Sequence, residues 1–217
     1  MKKNLLLCSI AFMFLPGTYS QSTNAMYPEP EFSKEVYFLK KDSVYKAIRL
    51  EKNSSKMDTK VKMAGFGGAE NAYLVEGEKS PVRMIGGANL SFIFSTGSSA
   101  STSSPQNDSV MKAHGLDPSM MSAYWNMNDP SNTITLYKAE SGKGNRKIYL
   151  MKTGGAFSMG KNKSSDKFTF SLKKIREGYW ELLIDKSLPK GEYAFAVQGM
   201  NMNNMDGSIV IFAFAVD

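Results

Sequence analysis

The sequence predicts an all-β fold, a sandwich or barrel-like arrangement of two small β units, and three observations carry that prediction. Short runs of β-branched and aromatic residues recur at roughly 8–12-residue spacing, as in Val36-Tyr37-Phe38-Leu39 and Leu90 to Phe94. Glycines punctuate them, at Gly65-Phe66-Gly67-Gly68, Gly77 and Gly86-Gly87. Within several runs apolar and polar residues alternate: Phe168, Phe170 and Leu172 take one side, Thr169 and Ser171 the other.

Residues 1–20 precede the fold and read as a signal peptide. Lys2 and Lys3 form a basic start, Leu5 to Leu15 an apolar run, Pro16-Gly17 a break, and Thr18-Tyr19-Ser20 a small-residue cleavage site. The apolar run is shorter than the ~20 residues of a membrane-crossing helix, and no later stretch qualifies. The expected product is therefore exported, to the periplasm or outward to the cell surface, with no transmembrane segment. The single cysteine, Cys8, lies inside the leader, where the continuing apolar run argues against lipidation. A mature chain without cysteine has no disulfide, thiolate metal site or cysteine nucleophile.

Residues 21–34 are polar with two prolines and read as a disordered lead-in. An N-terminal β unit is expected over 35–96, with strands at Val36 to Leu39, Val44 to Leu50, Thr59 to Ala64, Ala72 to Glu76, Val82 to Ile85 and Leu90 to Phe94. Residues 97–131 form a serine-rich loop with one short helical turn, capped by Asp117-Pro118 and ended by Asp129-Pro130. A C-terminal sandwich unit follows over 132–217, with strands at Thr133 to Ala139, Lys147 to Lys152, Lys167 to Leu172, Tyr179 to Ile184, Glu192 to Val197 and Ile209 to Val216. The last of these is apolar on both faces, so it should lie centrally and be covered on both sides. Trp180 shares a face with Leu182 and Ile184 and belongs to the core.

Chemistry-bearing residues are sparse. His114 is the only histidine, too few for a histidine zinc site, and no Gly-x-Ser-x-Gly elbow is present. Gly65-Phe66-Gly67-Gly68 lacks the Lys-Ser/Thr of a phosphate loop and reads as a turn. Between Lys138 and Arg176 eleven Lys/Arg face only Glu140 and Asp166. This basic stretch, with Arg146, Lys147, Lys161, Lys163, Lys173 and Lys174 as candidate ligand-binding residues, could meet an anionic envelope polymer, a glycan or a protein partner. Tyr124 and Trp125 offer an aromatic platform for a sugar ring. Nucleic acid is not expected, because no binding motif is present. Met200, Met202 and Met205 have spacing suited to Cu(I). The expected function is a non-enzymatic binding or assembly protein of the bacterial envelope or cell surface, without a cofactor. The alternatives are an exported enzyme acting on glycans through paired carboxylates, and a Cu(I)-binding periplasmic protein. Asp42-Ser43-Val44 and Asp108-Ser109-Val110 resemble a bacterial O-glycosylation signal.

Leu188-Pro189-Lys190-Gly191-Glu192-Tyr193, preceding an alternating strand, resembles the tyrosine corner of immunoglobulin-like and fibronectin-like sandwiches. The resemblance implies a tyrosine hydroxyl bonded to nearby backbone. The whole chain resembles a family of secreted, β-rich proteins of Gram-negative bacteria, through Pro28-Glu29-Pro30-Glu31-Phe32, Gly77-Glu78-Lys79-Ser80-Pro81-Val82-Arg83 and the Gly191-Glu192-Tyr193 strand. That resemblance implies export and β structure, and transfers no site residue.

Overall fold

The computed structural model describes residues 26–62, 67–86, 90–97, 130–154, 163–198 and 208–217. They form β strands throughout, apart from one four-residue helix, α1 (Pro130–Thr133). Sequence reading ends a helical turn at Asp129-Pro130; the structure starts one there, because the fixed φ of proline suits the first helical position. The turn expected at Asp117 lies outside the described residues.

A five-stranded sheet runs, from edge to edge, β12 (Phe170–Arg176), β13 (Tyr179–Ile184), β7 (Ser91–Ser95), β1 (Val36–Lys41) and β2 (Tyr45–Arg49). The larger sheet follows the path β3 (Glu51–Ser55), β15 (Ile209–Val216), β14 (Gly191–Val197), β8 (Ile134–Ser141), β9 (Asn145–Thr153), β5 (Ala69–Glu76) and β4 (Met57–Val61). Three two-residue strands flank that path: β6 (Arg83–Met84) beside β15, β10 (Lys163–Ser164) beside β9 and β11 (Lys167–Phe168) beside β8. Strands from both sides of the serine-rich stretch pair within each sheet: β7 with β13, β3 with β15 and β5 with β9. The expected N-terminal and C-terminal units are therefore interleaved in one architecture. Long-range pairing, rather than the linker, decides how the core is shared.

Single residues turn the chain between layers. Leu50, buried, is all that separates β2 in one sheet from β3 in the other. Thr169 plays the same part between β11 and β12. Lys56 alone separates β3 from β4, yet these strands stand at opposite ends of the larger sheet's path. A sheet whose two ends are joined by one residue must curl back on itself, and it forms a half-barrel. The backbone N–H of Leu74 on β5 donates to Ser55 Oγ on β3 at 2.9 Å, drawing the ends together.

The wall of β8, β14 and β15 consequently serves two interiors. Tyr193, Phe195, Phe212, Phe214 and Leu136 face the five-stranded sheet, where they meet Phe92, Phe94, Leu182 and Val36. The alternate residues Ala194, Ala196, Ala213 and Ile211 face into the half-barrel, with Tyr137, Ile148 and Val75. The final strand is thus covered on both faces, as its two-sided apolar pattern requires. The hydroxyl of buried Tyr193 donates to the Pro189 carbonyl at 2.6 Å, the backbone bond the local corner pattern implies.

The outer face of the five-stranded sheet carries its own apolar group, Tyr37, Leu39, Ile93 and Tyr179. Residues 26–34, expected as a disordered lead-in, lie across it. Tyr27 packs edge-on to Tyr45 and Tyr179, the Tyr179 hydroxyl donates to the Pro28 carbonyl, and Arg49 lies 4.6 Å above the Phe32 ring. Lys34 N–H donates to Ser95 O at 2.6 Å, fixing the segment at the sheet's end. The prolines make this segment extended, and its aromatic side chains cover apolar surface that water would otherwise meet. No helix among the described residues is long and apolar enough to cross a membrane.

Candidate functional site

The described residues of the basic stretch do not share a surface. Arg146 is only 1 % exposed and points into the half-barrel, on the same strand face as Ile148. Its Nε donates to the Gly77 carbonyl at 3.0 Å. Nη2 donates to the Glu76 carbonyl at 2.7 Å and to Glu51 Oε1 at 2.6 Å, and Nη1 to Glu51 Oε2 at 2.9 Å. Glu192 Oε2 lies 3.5 Å from Nη1 and accepts the Ser80 N–H at 2.9 Å. This is a saturated internal ion network, so Arg146 is removed from the candidate ligand-binding set: its charge is spent on Glu51 and Glu192. Burial opposes ionisation of Glu51, yet hydrogen bonds from Arg146, Ser80 and Asn53 hold its carboxyl below the ordinary carboxylate range.

The described lysines divide between two faces and mostly meet carboxylates. Lys163 pairs with Glu140 at 2.9 Å and Asp166 at 3.2 Å. Lys173 donates to the Tyr27 hydroxyl at 3.2 Å, and Lys174 pairs with Glu177 at 2.5 Å while lying 5.6 Å from the Trp180 ring. Trp180, between Lys174 on β12 and Phe94 on β7, is accordingly half-buried rather than fully enclosed in the core. Lys147 and Lys152 flank the Tyr149 ring at 5.9 and 5.0 Å. Tyr124, Trp125, Lys161, Met200, Met202, Met205 and His114 lie outside the described residues.

A second buried carboxylate, missed by sequence reading, sits under residues 26–34. Glu181 is 1 % exposed on the outer face of the five-stranded sheet. It accepts from Tyr27 Oη at 2.7 Å and from Ser91 Oγ, and Lys41 Nζ lies 2.5 Å away. Burial works against its charge, but these donors outweigh it and hold the carboxyl below the ordinary range. Glu35, bridging Arg49 and Lys52 beside an open cleft of about 530 Å³, is likewise lowered against the opposing effect of burial. Glu70 is lowered chiefly by its hydrogen bond from Lys62. Not one of these four carboxyls has the raised pKa a glycosidase acid requires.

These four groups give a pH expectation. A carboxyl with a folded pKa below its unfolded value of about 4.3 adds stability that is complete above that value. As pH falls the unfolded chain takes up protons first, and the contribution is lost as the folded pKa is approached. Urea midpoints should therefore hold steady from pH 7 to 5 and drop steeply between about pH 4.5 and 3. A midpoint unchanged down to pH 3 would contradict the ionised assignments.

The half-barrel has an open edge among the described residues. Among the described residues β4 pairs only with β5. Its register with β5 sets Met57 opposite Tyr73, Thr59 opposite Asn71 and Val61 opposite Ala69, all on the inward face. Yet Met57 is 54 % and Val61 60 % exposed, and Met151, opposite Asn71 on β9, is 47 % exposed. Asn71 Oδ1 beside them is buried without a hydrogen-bond partner. Asp58 and Lys60 take the outward face, 3.3 Å apart. The strand expected at Thr59 to Ala64 starts earlier, at Met57, and its Met57-Asp58-Thr59-Lys60-Val61 alternation is that of a strand with two unlike faces.

No family model, curated protein or solved structure matches this chain. The functional reading therefore rests on its own geometry.

Proposed function

We propose that the chain is an exported, non-enzymatic binding or assembly protein of the bacterial envelope or cell surface, and that it associates through the open edge of β4. One observation carries this: a strand that among the described residues is paired along one side only, with half-exposed apolar side chains on one face and an Asp/Lys pair on the other. The order of residues favours a second copy of the same strand. Antiparallel pairing about Thr59 sets Met57 against Val61 on the inward face and Asp58 against Lys60 on the outward face, twice over by symmetry. Opposite charges and apolar pairs across strands are each favourable by roughly 0.2–1 kcal/mol. The saturation of the buried ion networks supports a scaffold rather than a catalyst. An anionic polymer is the second candidate partner, favoured by the half-buried Lys147–Tyr149–Lys152 group, in which both ammonium groups lie within 6 Å of the ring.

Sedimentation velocity over a wide concentration series tests the association. The mature protein should dimerise with increasing concentration. Asp58→Lys should weaken dimerisation by setting lysines opposite each other, Lys60→Asp by setting acids opposite, and the double exchange should restore it. Thermal melts at low concentration check that the single variants fold. A monomer throughout, or a double exchange no better than either single one, ends the proposal.

A further inference from the structure

We infer that Ser43 is a site of O-linked glycan attachment. Asp42-Ser43-Val44 forms the connection between β1 and β2, a hairpin tip at the edge of the five-stranded sheet. All three residues are exposed. The Ser43 hydroxyl meets no hydrogen-bond partner among the described residues, so it is free to enter another protein's active site.

Val44 makes the case more specific. It is 67 % exposed, the largest exposure of any apolar residue within a hairpin connection described here. Turns favour Gly, Asn, Asp and Ser, and a β-branched residue gains nothing there from folding. The other tight hairpins follow the expected chemistry: Gly144 between β8 and β9 and Gly178 between β12 and β13 both take positive φ, 77° and 68°. An exposed valine next to an exposed acid and a free hydroxyl is explained by recognition instead. Asp42, 3.0 Å from Lys40 and half-exposed, offers a carboxylate to a transferase, Val44 an apolar contact, and Ser43 the acceptor oxygen. The same three residue types recur at Asp108-Ser109-Val110, which lies outside the described residues.

The reaction is glycosyl transfer from a phosphate-linked carrier, catalysed by a transferase of the envelope. Ser43 Oγ attacks the anomeric carbon and forms the new C–O bond. The bond from that carbon to the phosphate oxygen breaks, the electron pair leaves with the phosphate, and the hydroxyl proton passes to a base of the transferase.

The inference rests on the exported reading, because the transferase acts outside the cytoplasm, and the test separates the two. The chain is produced in its native host with residues 2–20 present or deleted, and both forms are fractionated. The tryptic peptide Asp42–Lys46 is then sequenced by electron-based fragmentation mass spectrometry. The expected result is a saccharide mass on Ser43 in envelope-derived protein only. Ser43→Ala should abolish it, and so should Asp42→Asn, which leaves the hydroxyl in place. An unmodified peptide from protein recovered in the envelope overturns the inference while leaving export intact. Protein confined to the cytoplasm despite residues 2–20 overturns the exported reading itself and, with it, this inference. A glycan that survives Asp42→Asn overturns recognition through the tripeptide.

Discussion

Replacing Arg146 with alanine is expected to destabilise the protein by about 3–5 kcal/mol, the cost of leaving buried charges without their partner. The side chain closes four hydrogen bonds within the half-barrel, two to the Glu51 carboxylate and two to the carbonyls of Glu76 and Gly77. Without it Glu51 and Glu192 face each other across a small apolar interior lined by Ala194 and Ala213. Arg146→Lys should recover little, because a single ammonium cannot reproduce the planar fork that meets Glu51 and the two carbonyls together. The informative comparison is Arg146→Met combined with Glu51→Leu. If the loss comes from an uncompensated carboxylate, the double variant should be more stable than Arg146→Met alone, a non-additivity that urea unfolding of the mature protein reads directly. Equal midpoints for wild type and Arg146→Ala would mean that the network adds nothing to stability.

The same residue shows how far the sequence could be read. Counting charges placed Arg146 in a basic stretch with Lys147, Lys163, Lys173 and Lys174, but counting ignores strand parity. Arg146 alternates with Ile148 and Leu150, so the face that takes those two inward takes the guanidinium as well. β3 stayed invisible for the complementary reason. Glu51, Asn53 and Ser55 face Ala213, Ile211 and Ile209 inside the half-barrel, so a buried face built from polar residues shows no hydrophobic period. Strands whose inner face is apolar, such as β13, β14 and β15, were legible almost to their ends. The order of pairing was not, because Leu50 and Thr169 each redirect the chain between sheets and Lys56 carries it from one end of the larger sheet to the other, and a lone residue leaves no compositional mark.

Glu181 was hidden by a different mechanism. On its strand it alternates with Trp180 and Leu182, which turn inward, so the pattern assigns it to solvent. The segment 26–34 then covers that face and buries it. Local periodicity reports which side of a strand a residue takes, and it carries no information about what later packs there. The β4 edge is the converse case, where an inward-facing apolar pair remains exposed because the described half-barrel ends there.

The second large effect is expected in the sandwich interior. Phe92→Ala should cost about 3–5 kcal/mol and lower the melting temperature by on the order of 10 °C. Phe92 is completely buried at the centre of the five-stranded sheet, with ring centroids 4.8 Å from Phe195, 5.0 Å from Phe214 and 5.7 Å from Phe38. It bridges the two layers, which stand roughly 10 Å apart in packed sheets and need large side chains to fill the gap. The facing strands β14 and β15 supply aromatics on this side and alanines on the other, so the wall cannot shift toward Phe92 to collapse a cavity without opening one in the half-barrel. Relaxation is blocked from both sides, and the penalty should lie toward the upper part of its range. Phe92→Leu, which keeps most of the volume, should lose clearly less. Urea midpoints for the pair decide the point: similar small losses for leucine and alanine would show that the wall moves, and that the two interiors are packed independently of each other.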